Sequence, residues 1–276
     1  MKAEDSTLPS YDFKRILLLG EADFSFTRAF ATAHTDNRAT KADSPSRCSE
    51  RPTDKLVIRD DCRLIATEFG NGEDLMKRYY NDDPQKMKTA ISSLCQLEAI
   101  EEVVCGLNAR LLGDKNPTKC KCQRWNKLKK EWDPPASFWE NPYVRDTSNK
   151  SLPLPFDLII FNFPHSDQAG RATKLVRALF KQLRICIDEG RLAKTVELEM
   201  RLRTIETDPT LKKNIRSFYN HEEAAAESKF ELVSGGCWTG DLERWEKLGY
   251  RHKWTRKNAS CRDMATNCKV WRWRSK

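Results

Sequence analysis

The run Arg15-Ile16-Leu17-Leu18-Leu19, which stops at Gly20, most constrains what this chain can fold into. Five residues with no internal polar group suit a strand buried on both faces, and Thr27-Arg28-Ala29-Phe30-Ala31 then takes helical spacing. Strand, turn and helix at the start of a long chain open a doubly wound α/β domain, whose ligand lies beyond the carboxyl ends of the strands. A glycine at the first turn lets backbone approach a ligand, and the helix behind it offers unsatisfied N–H groups. On its own, Gly20-x-Ala22 is equally compatible with an ordinary tight turn.

A longer stretch sharpens the reading. Gly20-Glu21-Ala22-Asp23-Phe24-Ser25-Phe26 resembles the Gly-Glu-Gly-Asp/Asn-Phe-Ser-Phe signature of the large-subunit rRNA (uridine-N3)-methyltransferase-like family. Phe156-Asp157-Leu158-Ile159-Ile160-Phe161-Asn162-Phe163-Pro164-His165 is similar to that family's Phe-Asp-x-Ile-Ile-Phe-Asn-Phe-Pro-His, and Ile65-Ala66-Thr67, Gly106-Leu107-Asn108-Ala109 and Leu248 to Thr255 are weaker echoes. The resemblance implies a Rossmann-like class I methyltransferase domain over 14–276 that binds S-adenosylmethionine. It also implies ribosomal RNA or a pre-ribosome as partner, and the nucleus or nucleolus as location, with cytoplasm or mitochondrion as alternatives. The cofactor residues it implies are Gly20, Glu21, Ala22, Asp23, Phe24, Ser25 and Asn108. The chain departs from the family at three of the cofactor positions: Ala22 replaces the second glycine, Gly70 stands where an acidic residue follows strand two, and Asn108 replaces an aspartate. Glu68, two residues before Gly70, is the carboxylate that would substitute.

In Asn162-Phe163-Pro164-His165 a buried strand ends in an amide, an aromatic, a proline and an imidazole. Asn162 can hydrogen-bond the edge of a heterocycle, Phe163 can stack on a base, Pro164 stiffens the loop, and His165 is the nearest candidate base for the proton on uridine N3. The bland alternative is a strand-to-helix loop whose histidine caps the next helix.

The charge balance is compatible with this. Lys and Arg number 49 against 40 Asp and Glu, a formal charge of +9 that favours an anionic partner. No stretch approaches the ~18 apolar residues of a membrane span, and Met1 to Ser10 has neither a signal-peptide core nor an Arg-rich transit pattern, so a soluble intracellular protein is expected. Ten cysteines without metal-ligand spacing read as reduced thiols, with no metal site expected.

Along the chain, residues 1–13 read as a flexible tail and about 37–54 and 113–155 as surface insertions in a mostly parallel sheet. A helix is expected from about Phe24 to His34, strands near 15–19, 63–68, 103–107 and 157–162, and a further helix from about Gln168 to Cys186. Val196, Leu198, Met200 and Leu202 alternate with Glu197, Glu199, Arg201 and Arg203, a pattern that suits a fifth strand with one exposed face and leaves helix open. In the second insertion Lys127, Lys129, Lys130 and Trp125 combine cations with an indole; they form either an RNA-binding surface or a solvated insertion with tryptophans packed on the domain. Arg251 and Lys253 suit RNA backbone contact or a plain basic strand. A monomer is expected. The competing functional reading is a catalytically lapsed homologue that binds rRNA in ribosome assembly.

Overall fold

The structure is a computed structural model that describes residues 11–20, 23–42, 58–114, 119, 121–139, 156–162, 171–203, 220–237, 239–251, 253–254, 259–260 and 268–276. The first half comprises β1 (Arg15–Leu19), α1 (Ser25–Ala42), β2 (Arg63–Glu68), α2 (Gly72–Tyr79), α3 (Pro84–Cys95) and β3 (Ile100–Cys105). Short strands β4 (Lys121–Asn126), β5 (Glu131–Trp132) and β6 (Ala136–Ser137) follow, then β7 (Phe156–Asn162), α4 (Arg171–Asp188), β8 (Leu192–Arg203) and α5 (His221–Glu227). The chain closes with β9 (Phe230–Cys237), α6 (Thr239–Lys247), β10 (Lys253–Trp254), β11 (Ala259–Ser260) and β12 (Cys268–Ser275).

The main sheet runs β5-β4-β3-β2-β1-β7-β8-β12-β9, with β6 on β4 and a separate β10-β11 hairpin. β3, β2, β1, β7 and β8 are parallel neighbours, as the apolar strands imply. β12 inserts antiparallel between β8 and β9. The uninterrupted apolar run of β1 follows from burial on both sides. Ile16 and Leu18 share a core with Phe26, Phe30, Ile91 and Trp245, and Leu17 and Leu19 share the other with Val176, Phe180 and Leu183. Local chemistry starts the helices: Asn71 and Asp74 form a capping box on α2, and Asp83 caps α3 ahead of Pro84.

Four expectations need correction. α1 continues to Ala42, so its last turns occupy the start of the proposed 37–54 insertion, whose residues 43–54 lie outside the described residues. The second insertion is partly sheet: β4 pairs antiparallel with β3, Val104 opposite Arg124, extending the edge with Trp125 buried against β5's Trp132. The tail ends before Tyr11, which is buried and bridges to Ile58; residues 1–10 lie outside the described residues. Finally, the fifth strand is indeed β8, but its charged face is not exposed. Glu197, Glu199 and Arg201 are buried, because β12 sets Arg272 opposite Glu199 and Arg274 opposite Glu197. Alternating charge signalled a solvated face only because the partner charges lie some 70 residues away in sequence.

Candidate active site

Strand order reverses at β1, which has β2 on one side and β7 on the other, and ligands of open α/β sheets bind at such a point. Leu19 pairs with Phe161, so Gly20 and Asn162 are the next position on adjacent strands, about 5 Å apart by strand spacing. By the same register Gly20 lies beside Glu68, since Leu18 pairs with Ala66. Gly20, the end of β2 and Asn162 at the end of β7 thus share one crevice.

Gly20 adopts φ +67°, and a Cβ there would lie 3.2 Å from the Phe161 ring, so both backbone and space demand glycine. Beyond it Phe24, buried at the base of the turn, also sits in the left-handed region at φ +59°, a conformation costing about 1–2 kcal/mol for a residue with a Cβ. Asp23 Oδ1 accepts from Ser25 N (3.1 Å), and Ser25 Oγ donates to Arg251 O (3.1 Å), which ties the turn to the segment after α6. Tyr250 packs edge-on against Phe26 beside that tie, 5.6 Å between ring centres. Glu21 and Ala22 lie outside the described residues.

Glu68 closes β2 and is buried, with Oε1 accepting from Gly70 N at 3.3 Å. The carboxylate at the end of strand two is therefore Glu68, and Gly70 belongs to the turn behind it, where an added Cβ would meet Asp74 at 2.9 Å. Leu107 N donates to Glu68 O (3.1 Å) and Gly106 N to Gly70 O (2.8 Å), so the ends of β2 and β3 are fixed to one another. Asn108 follows β3, and its Oδ1 accepts from Arg110 N (3.0 Å), capping a single helical turn; the acceptor assigned to an adenine amino group is shared with that cap. Sequence reading missed two neighbours. Phe69 stands 59% exposed at the mouth of the crevice, and the Tyr79 hydroxyl is buried without a hydrogen-bond partner. Burial, then the charges of Glu68 and Asp23, push the Tyr79 phenol well above its ordinary range, so it is a neutral donor. A carboxylate, an amide and an open aromatic at successive strand ends suit a nucleoside: hydroxyls for Glu68, ring polar atoms for Asn108, an apolar face for Phe69. They fit S-adenosylmethionine.

Asn162 ends β7, 8% exposed. Arg201 Nη1 donates to its Oδ1 at 2.7 Å, while Arg201 Nη2 pairs with Glu199 at 2.8 Å and the guanidinium lies 4.7 Å from the Phe26 ring centre. Glu199 also accepts from Tyr11 Oη (2.9 Å) and Arg272 Nη2 (2.5 Å). Burial opposes ionisation of Glu199, but Arg201 and Arg272 outweigh it and hold the carboxyl below its usual range. Nothing in the sequence pointed to Arg201, because apart from Glu199 on its own strand its partners come from β7, α1 and the segment before β1. Phe163, Pro164 and His165 lie outside the described residues.

The structure does not bring the basic tip of the second insertion to this crevice, although Gln123 accepts from Gly72 N just behind the β2 turn. Lys127 Nζ donates to the carbonyl of Ile100 (3.1 Å), the first residue of β3, so the Lys127–Lys130 tip sits at the amino ends of the strands. Trp125 is 6% exposed and cannot stack on a base; it is a packing residue. Lys129 and Lys130 are exposed at that same remote end, around an almost fully exposed Leu128. Arg251, by contrast, is fixed beside the first turn through Ser25, and Lys253 lies two residues on in β10.

Fold and crevice together define a Rossmann-like class I methyltransferase. The rRNA (uridine-N3-)-methyltransferase BTM5-like family, named BMT5-like, matches residues 17–252, and the chain belongs to it. It is an S-adenosylmethionine-dependent rRNA methyltransferase. No curated protein sequence matches. Among solved structures, it is similar to the 16S rRNA methyltransferase KamB at 12% identity, with 96% of this chain and 89% of that one covered and a TM-score of 0.43. It is also similar to a 30S ribosomal A1408 methyltransferase from an uncultured bacterium (10%, 96% and 88%, 0.38). A third likeness is to the O-methyltransferase TomG from Streptomyces achromogenes (10%, 96% and 74%, 0.36).

Proposed function

We propose that the enzyme seats a uridine of large-subunit rRNA against Asn162 and methylates its N3. The observation that carries this is the register placing Asn162 beside Gly20 and Glu68 at one switch point. Bound S-adenosylmethionine supplies an electrophilic methyl group on its sulfonium. Glu68 would hold the ribose hydroxyls, Asn108 the adenine edge and Phe69 its face, while Gly20 and the backbone of residues 23–25 would line the near side.

For the acceptor, Asn162 orients the base edge. Phe163 and Pro164 follow directly, within about 10 Å of chain reach, to stack on the ring and stiffen the loop. The His165 imidazole takes the N3 proton, which makes the nitrogen lone pair available for attack. Arg251, beside the first turn, and Lys253, two residues further on, contact the RNA backbone. A role on the pre-ribosome in the nucleolus, as a monomer, accords with this reading. The lapsed-homologue alternative is not favoured, since an assembly factor has no chemical need of an Asn162 site.

Calorimetry with S-adenosylmethionine, followed by transfer of labelled methyl to undermodified rRNA, tests the proposal. Wild type is expected to bind and transfer, and Asn162→Ala to bind with nearly unchanged affinity and not transfer. Absence of cofactor binding at millimolar concentration, together with absence of transfer, would overturn it and leave the assembly role.

A further inference from the structure

The phenol of Tyr79 is unused in the site as described so far. Tyr79 ends α2 on the buried face of the helix, one turn after Leu75, and is 6% exposed. Its hydroxyl is buried and makes no hydrogen bond among the described residues. A buried donor left unsatisfied is destabilising, so native proteins keep few of them and each calls for a reason.

Two features of the fold set this phenol beside the Glu68 carboxylate. Side chains alternate along β2: Leu64 and Ala66 belong to the same core as Leu75 and Tyr79, while Ile65 belongs to the core on the other side of the sheet. Glu68 therefore projects to the Tyr79 side. Moreover, α2 starts at Gly72, just behind the turn that follows Glu68, and helical side chains lean toward the helix N-terminus, which carries the Tyr79 ring back toward the carboxyl end of β2. The electrostatics agree: after burial itself, the charge of Glu68 is the largest influence keeping the phenol protonated, and Asp23 of the first turn adds to it. At 6% exposure against 3%, Tyr79 lies hardly less deep than the carboxylate, so the two form one layer of the crevice wall.

The pair has a defined recognition chemistry. A carboxylate only accepts hydrogen bonds, and a neutral phenol can donate one. A sugar hydroxyl does both, giving its hydrogen to the carboxylate and taking one from the phenol. A ligand carboxylate or phosphate would instead meet the negative charges of Glu68 and Asp23, and an apolar group would leave the phenol unpaired. We propose that Tyr79 completes the ribose subsite of the cofactor crevice, donating to a ribose hydroxyl oxygen whose own hydrogen goes to Glu68. The proposal rests on Glu68 being the residue that holds the ribose, as argued above. Binding then satisfies a donor that the protein alone leaves unpaired, a gain confined to ligands with a hydroxyl at that position.

Tyr79→Phe keeps the ring and removes only the hydroxyl. Without ligand, the variant is expected to melt at or above the wild-type temperature, since an unpaired buried donor has been deleted. Its calorimetric affinity for S-adenosylhomocysteine should fall about three- to tenfold, the size of one neutral hydrogen bond. That loss should vanish with one of the 2′-deoxy and 3′-deoxy analogues of S-adenosylhomocysteine, the one lacking the contacted hydroxyl. Ligand-free melting several degrees below wild type would overturn the proposal, because the hydroxyl would then be bonded within the protein. Equal affinities of variant and wild type, or a loss that persists with both deoxy analogues, would overturn it as well. Absence of binding by the wild type would remove the ribose subsite together with the cofactor site. If the wild type makes no N3-methyluridine while these affinities change as expected, the uridine reading fails and the ribose subsite stands.

Discussion

At the scale of single residues, three side chains and one glycine decide whether the crevice can hold a nucleoside. Gly20→Ala would force a Cβ into the left-handed region and to 3.2 Å from Phe161, so we expect a stability loss of about 1–2 kcal/mol and at least tenfold weaker cofactor binding by calorimetry. Glu68→Gln removes the charge from the carboxylate at the end of β2. Charge-assisted bonds contribute about 1.5–3 kcal/mol each, which translates to about 10- to 100-fold in cofactor affinity. If Glu68→Gln binds as wild type does, the ribose hydroxyls are held elsewhere. Glu68 was legible as a carboxylate near strand two, but whether it or Gly70 ended the strand depended on a two-residue register that only pairing with β1 and β3 resolves. Arg201 was read as a solvent-facing charge, since a sequence shows alternation and not the long-range partner that neutralises it.

At the scale of elements, the β4–β5 edge and the α5–β12 contact make separable predictions. Trp125 is buried against Trp132 with ring centres 5.1 Å apart, so Trp125→Ala should cost about 3–5 kcal/mol by denaturant unfolding. A base-stacking role would leave stability intact and weaken RNA binding instead. Lys129→Glu with Lys130→Glu, at the strand ends far from the crevice, should change the salt slope of RNA binding by less than about one counterion. His221 packs between Trp271 and Trp273, and burial pushes its pKa down from 6.5 to about 4. The folded protein keeps this imidazole neutral while the unfolded chain protonates it, so its contribution is complete above about pH 6.5 and is lost as pH falls toward 4. Melting temperature should therefore drop across that window, and His221→Phe should flatten the drop. Glu199, held below its ordinary 4.5, adds a further loss only below that value.

At the scale of the whole molecule, the parallel centre of the sheet was readable because apolar strands flanked by glycine and helical spacing carry their own signal. β1, β2, β3 and β7 fall within a few residues of the expected spans, with β3 starting at Ile100 where Val103 was expected. The edges were not readable. β4 carries Lys121, Gln123, Arg124 and Asn126, and only its pairing to β3 makes it a strand. Tyr11 was hidden for the same reason: its bond to Glu199 spans 188 positions. The candidate site follows the same division, since the residues at strand ends came with motifs and the network that orients Asn162 did not.

The central claim is that Asn162 and the Gly20 turn form one active site that methylates uridine at N3. Nucleoside mass spectrometry of undermodified large-subunit rRNA, incubated with the protein and methyl-labelled S-adenosylmethionine, tests it most directly. The account predicts labelled N3-methyluridine, absent with Asn162→Ala although that variant still binds cofactor. Label appearing in another nucleoside, or undiminished N3-methyluridine from Asn162→Ala, would contradict it.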